Sequence, residues 1–126
     1  MVSSESQYVH QSVVQNAPDN EAAWGTIRWL ASQAQLGVDA TLGFVEIEAG
    51  RSNPHHVHPN CTEMLVLLEG ELEHAVGDET VTLRANDLLV VPAGTPHSAR
   101  NVGQSTARML VFYDSGDRQF ALVETR

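Results

Sequence analysis

The sequence predicts an all-β sandwich or barrel, and three observations carry that expectation. From Trp24 onward the chain is a series of short segments rich in Val, Ile, Leu, Thr and aromatic residues, the residues that fit a pleated, half-buried surface. Gly, Pro, Asn or Asp interrupts these segments every eight to twelve residues, as turns do between the strands of sandwiches and barrels. No stretch requires a helix of three turns. With 126 residues and 13.7 kDa the chain suits one domain. A chain of this mass buries roughly two thirds of its unfolded surface, enough for a core without disulfide or metal staples.

In chain order, residues 1–23 are polar and show no sustained period, so they are read as an N-terminal arm, with residues 24–126 forming the barrel domain. Strands are expected near 25–33, 40–49, 55–58, 63–69, 71–76, 79–84, 87–91, 97–102 and 106–113. Glu69-Gly70-Glu71 and Gly77-Asp78-Glu79 stand between apolar or alternating runs. Glycine there can take the positive φ of a tight turn, which predicts two consecutive hairpins. Met64 to Leu68 is apolar at every position and should lie in the middle of a two-layer structure. Glu71 to Val76 alternates in part, as a strand with one wet face does.

Charge and composition exclude several function classes. Sixteen acidic residues against seven basic ones give a net charge of -9, which repels phosphate backbones and anionic lipid, so neither nucleic acid nor membrane is an expected partner. The longest apolar runs, Met64 to Leu68 and Met109 to Tyr113, are five residues each, far short of the ~20 that a spanning helix needs. All seven basic residues are arginines, so Schiff-base and P-loop lysine chemistry are ruled out. The single cysteine, Cys61, cannot form an internal disulfide or a multi-cysteine zinc site. The opening residues lack a basic start and apolar core for export, and a cytoplasmic setting is expected.

Histidine is concentrated in two blocks. The first runs from Gly50 to Gly70 and places His56, His58 and Glu63 at the spacing G-x5-H-x-H-x4-E-x6-G. Side chains two apart on a strand share a face, so His56 and His58 point the same way and Val57 the other. A turn through Pro59-Asn60-Cys61-Thr62 returns the chain and lets Glu63 face the same interior, giving three ligands from one hairpin. The second block reads P-x-G-x2-H-x3-N, with Pro92 and Gly94 forming a tight turn that directs His97 inward. Asn101 shares strand parity with His97 and is expected to orient a ligand from behind. Three imidazoles and a carboxylate suit a divalent Mn, Fe, Co, Ni, Cu or Zn ion and leave two positions of an octahedron open. The Asp-His that should follow H-x-H in a metallo-β-lactamase is absent, since Pro59-Asn60 stand there.

Taken together, these two blocks resemble the sequence motifs of the cupin superfamily, in order, over about Thr41 to Tyr113. One position departs from the pattern. Asn86 stands where the family usually has glycine, and asparagine tolerates the left-handed conformation better than most residues. The resemblance implies a double-stranded β-helix, or jelly-roll barrel, in which His56, His58, Glu63 and His97 bind one divalent transition metal ion. It also implies a small-molecule substrate and a homodimer, with the segment Trp24 to Gln33 adding to a partner's sheet edge. The reaction expected first is dioxygenation of a small metal-chelating organic molecule. An isomerase or lyase acting on a small sugar or keto acid, and a non-catalytic module that binds a metal or small ligand, are the alternatives.

The remaining candidates have plainer readings. His55, of opposite parity, is expected at the rim, and His10 and His74 at the surface. Cys61 reads as a packed thiol. Arg28, Arg108, Tyr113 and Trp24 or Trp29 are the candidates for the barrel mouth, with packing or surface roles expected for most. No base for proton transfer is evident.

Overall fold

A computed structural model of the chain describes His10 and residues 20–124. Most of the arm expected over 1–23 lies outside the described residues. Eleven strands and one short helix follow in order: β1 (Asn20–Ala22), β2 (Gly25–Ala31), α1 (Gln33–Leu36), β3 (Thr41–Ile47), β4 (His56–Val57), β5 (Glu63–Glu69), β6 (Glu71–Val76), β7 (Glu79–Arg84), β8 (Leu88–Val91), β9 (His97–Asn101), β10 (Ala107–Tyr113) and β11 (Ala121–Leu122). They form two antiparallel sheets, β1-β2-β3-β10-β5-β8 and β11-β4-β9-β6-β7, packed as a jelly roll.

Period-two patterning places the core. Alternate residues of β3 and β10 are buried, and Ile47, Leu65, Leu67, Leu72, Ala99 and Val111 are at most 1% exposed between the sheets. All nine expected strands form, although the first of them, β2, ends at Ala31, where Ser32 caps α1 by accepting a hydrogen bond from Gln35 N. Two more strands, β1 and β11, are only three and two residues long, too short to show a period.

Three expectations need correction. Glu69-Gly70-Glu71 is not a hairpin, because β5 pairs with β8 and β10 while β6 pairs with β7 and β9. Gly70 instead carries the chain from one sheet to the other at φ +100°, and a Cβ there would come 2.9 Å from the Ala107 backbone. Only Gly77-Asp78 makes the hairpin, between Val76 and Glu79. Nor is Met64 to Leu68 covered on both faces. Leu65 and Leu67 are buried, but Met64 and Leu68 are each 39% exposed on the outer side. Finally, β2 is taken up within its own sheet between β1 and β3, so it is not placed as an added strand for a partner. Asn86 does adopt the left-handed conformation, at φ +79°.

Candidate metal centre

The ligand strands belong to different sheets. His56 lies on β4 and His97 on β9, which face each other in register within the smaller sheet, and His58 follows β4 directly. Glu63 opens β5 in the larger sheet, next to Tyr113 of β10. The turn between His58 and Glu63 therefore crosses from one layer to the other, where a hairpin within one sheet was expected. The convergence holds regardless: one ligand atom from each of His56, His58, Glu63 and His97 lies within 4.8 Å of the others, and all four residues are buried.

The hydrogen bonds of the three rings prepare them for a cation. His56 Nδ1 bonds the Pro54 carbonyl at 2.6 Å, His58 Nδ1 the Gln119 carbonyl at 2.8 Å and His97 Nδ1 the Thr95 carbonyl at 2.9 Å. A carbonyl only accepts, so each Nδ1 carries a proton and each Nε2 points inward, where a cation would take its lone pair; the 3.0 Å bond of His97 Nε2 to Glu63 Oε1 needs a proton on that nitrogen too, which a bound ion would displace. His58 Nε2 is buried with no hydrogen-bond partner among the described residues, 3.4 Å from Glu63 Oε1 but outside hydrogen-bond geometry. An orphaned lone pair beside a buried carboxylate is what a divalent ion would satisfy. The residues present fit such an ion.

Burial and mutual contact shift these groups in opposite directions. Burial alone would raise the Glu63 carboxyl, yet contacts from the His58 and His97 rings hold it at about 2. Burial lowers His56 to about 4, helped by the neighbouring His97 and His58 rings. For His97, burial is outweighed by its 3.0 Å bond to Glu63, so its pKa is raised.

Above the ligands the barrel holds a cavity of about 350 Å³. Trp24, Ile27, Val45, Met109, Val111 and Phe120 supply apolar wall, while His56, Glu63, His97 and His74 form a polar part. Of the mouth candidates, Tyr113 and Trp24 line this cavity. Arg28 and Arg108 do not. They pair with Glu46 on the outer face of the larger sheet, at 2.9 and 2.8 Å. The arginine that reaches the cavity is Arg118, whose guanidinium lies 4.5 Å from the Trp29 ring centroid and 5.1 Å from that of Tyr113. His55 is half-buried and contacts Ser98, as its parity requires, and His10 is exposed. Cys61 is a packed core thiol, 3% exposed, with its pKa raised by burial.

Two sequence readings fail at this site. Asn101 does not support a ligand. Its amide nitrogen donates to the Ile47 and Ser105 carbonyls, both at 2.8 Å, and its oxygen accepts from Gly103 N, so it clasps the barrel's other end. His74 is not at the surface. It is 2% exposed, and its ring stacks near-parallel to that of His97 with centroids 6.0 Å apart. The signal was present, since His74 shares strand parity with Leu72 while Glu71 and Glu73 point to the other face. Also unanticipated was the segment after Tyr113, where Gln119 receives the His58 bond and Phe120 stacks on His56 at 5.0 Å.

The family model described as a cupin domain matches residues 43–113, more than half of the chain and all four candidate ligands. The chain is a cupin. It is 34% identical over 100 residues to the polyketide synthase CurC of Streptomyces cyaneus, covering 77% of this cupin and 64% of that protein. It is 33% identical over 88 residues to an oxalate oxidase of Triticum aestivum, covering 64% of the chain and 38% of the relative. The cupin thus spans less than two thirds of the length of both relatives. Among solved structures, an oxalate oxidase superposes with a TM-score of 0.81 at 22% identity over 95% of this chain and 66% of that one. An oxalate decarboxylase of Bacillus subtilis gives 0.80 at 19%, over 88% and 31%. At these identities the structures establish the fold.

Two predictions arise here. Metal-free protein should lose stability as pH falls from 7 toward 5. His56 and His74 are both lowered by burial from 6.5 to about 4, so in this window the unfolded chain binds more protons than the folded one. Their stabilisation is complete above 6.5 and is lost as pH falls toward 4, roughly 2 kcal/mol for each ring by pH 5. His97, with its raised pKa, takes up its proton before the unfolded chain does, so it offsets part of this loss near 6.5 and adds no slope once both states are protonated toward 5. Urea unfolding across this range checks it, and a flat profile would refute it. Second, deleting residues 1–23 should leave metal stoichiometry unchanged, because among the described residues the candidate ligands begin at His56. The deletion removes β1, whose Asn20 and Ala22 border the cavity, so small-molecule access is the property expected to change. Metal analysis of the truncated protein decides the first part.

Proposed function

We propose that this cupin is a metal-dependent enzyme acting on a small organic molecule that chelates through two oxygens, with dioxygenation as its reaction. The supporting observation is the convergence of three Nε2 atoms and one carboxylate at the base of a cavity that is otherwise largely apolar. A bound Mn, Fe, Co, Ni, Cu or Zn ion would supply Lewis acidity and, for the redox-active members, electron transfer with dioxygen. The protein's share is positioning. Carbonyl-anchored rings fix the donor atoms, Glu63 supplies one negative charge, and the apolar wall displaces water from the bound molecule. The relatives, an oxalate oxidase and a polyketide synthase by name, belong to chemistry on oxygen-rich carbon compounds and support a chelating substrate.

The test is reconstitution with Fe(II), Mn(II), Ni(II), Cu(II) or Zn(II), followed by oxygen uptake against diketones, phenols and keto acids. Uptake with a redox-active ion supports the dioxygenase. Turnover without oxygen, preserved in zinc, would replace it with an isomerase or lyase, a reading favoured by His74, a buried imidazole outside the ligand set. Tight binding with no turnover would leave a binding module.

We propose further that the protein is a homodimer formed through the outer face of the larger sheet. Met64, Leu68, Leu88 and Val90 are 39–60% exposed there, on adjacent strands β5 and β8, and a second copy would cover this face. Light scattering should give twice the 13.7 kDa chain mass, and Val90→Glu should return it to the single-chain value. A single-chain mass for the unaltered protein at micromolar concentration would reject the dimer.

A further inference from the structure

We propose that His74 is a substrate-binding residue that reads an oxygen of the bound molecule away from the metal, and that this molecule has an apolar body and is larger than a two-carbon acid. This rests on the metal-dependent reading above and specifies the substrate class of that same site. His74 projects inward from β6, 2% exposed, and lines the cavity beside His97. Neither ring nitrogen has a hydrogen-bond partner among the described residues. Leaving a buried polar group unmet costs about 1–3 kcal/mol, so two such atoms on one ring need an account. Metal ligation does not supply it, because His74 is outside the four-residue group whose donor atoms lie within 4.8 Å of one another. A neutral imidazole offers one N–H donor and one lone pair, which match a hydroxyl or carbonyl oxygen of a ligand in the cavity.

Size and lining define the rest of that ligand. At ~30 Å³ per water-sized group, a cavity of about 350 Å³ has room for about a dozen non-hydrogen atoms. Oxalate would fill about half of it. Of the walls that remain, Trp24, Ile27, Val45, Met109, Val111 and Phe120 make up the apolar part, which packs against a ring or a short hydrocarbon, while Arg118 and Asn53 add polar groups at the lining. Phe120 and Trp24 add aromatic surface to that apolar part, which suits an apolar body on the ligand.

The experiment uses zinc-loaded full-length protein, with zinc content measured first. Binding of salicylate, of its 3-, 4-, 5- and 6-hydroxy derivatives and of oxalate is then followed by calorimetry in the wild type, His74→Leu and His74→Asn. In the wild type at least one hydroxy derivative should bind about tenfold more tightly than salicylate, and oxalate more weakly than salicylate. His74→Leu should abolish the preference for the extra hydroxyl while leaving zinc content and salicylate affinity within twofold, and His74→Asn should retain part of it. With zinc bound, the assignment is overturned if no hydroxy derivative is preferred, if His74→Leu keeps the preference, or if oxalate binds most tightly. Loss of zinc from both variants also overturns it, since His74 would then support the centre. A wild-type protein that takes up no zinc fails the metal reading itself, and this inference falls with it.

Discussion

Replacing His58 with alanine is expected to reduce metal affinity by at least ~100-fold, with stoichiometric metal lost after dialysis against a weak chelator. The ring is 2% exposed, its Nδ1 is anchored on the Gln119 carbonyl, and its Nε2 has no partner among the described residues. Its loss leaves Glu63 with His97 alone among its imidazole contacts at 3.4 Å or less. His55→Ala is the matched control. That residue is three positions away on the other face of the same segment, contacts Ser98, and should leave metal content unchanged. Elemental analysis of both variants, each checked for a cooperative unfolding transition, decides the matter. Full metal retention in His58→Ala would remove His58 from the ligand set.

Asn101→Leu is expected to destabilise the fold by roughly 3–6 kcal/mol. The Asn101 side chain makes three buried or half-buried hydrogen bonds, to the Ile47 and Ser105 carbonyls and from Gly103 N. Leucine is close in volume but pairs with none of them, so each partner bears its desolvation cost unmet. Urea denaturation should show the loss in the midpoint. Metal affinity in the folded fraction should be unchanged, because Asn101 touches none of the four ligands. Weakened metal affinity with unchanged stability would restore the ligand-orienting role that strand parity implied.

That contrast between His97 and Asn101 shows how far a strand pattern carries. Parity correctly put both side chains inside the barrel, since residues 97, 99 and 101 are all buried. It carried no information on which end of the barrel each would reach. His74 shows the same limit from the other side: its parity with Leu72 marked it as inward, but polarity alone argued for the surface. Burial of an imidazole is acceptable here because the cavity faces it, and the cavity is made by β2, β3, β10 and the segment after Tyr113, all distant in sequence.

The short β-prone segments with their turn spacing determined the all-β class, and the H-x-H, the Glu63 spacing and the Pro92-to-Asn101 block determined the family and marked the four candidate ligands, because strand periodicity and metal coordination both act through local spacing. What only the tertiary structure decided was the partnership of strands. Gly70 turned out to join two sheets, Arg28 and Arg108 to pair with Glu46 outside the barrel, and Arg118, Phe120 and His74 to complete the cavity. Sheet order depends on hydrogen bonds between segments far apart along the chain, and on which pairing buries most apolar surface, so no local period encodes it.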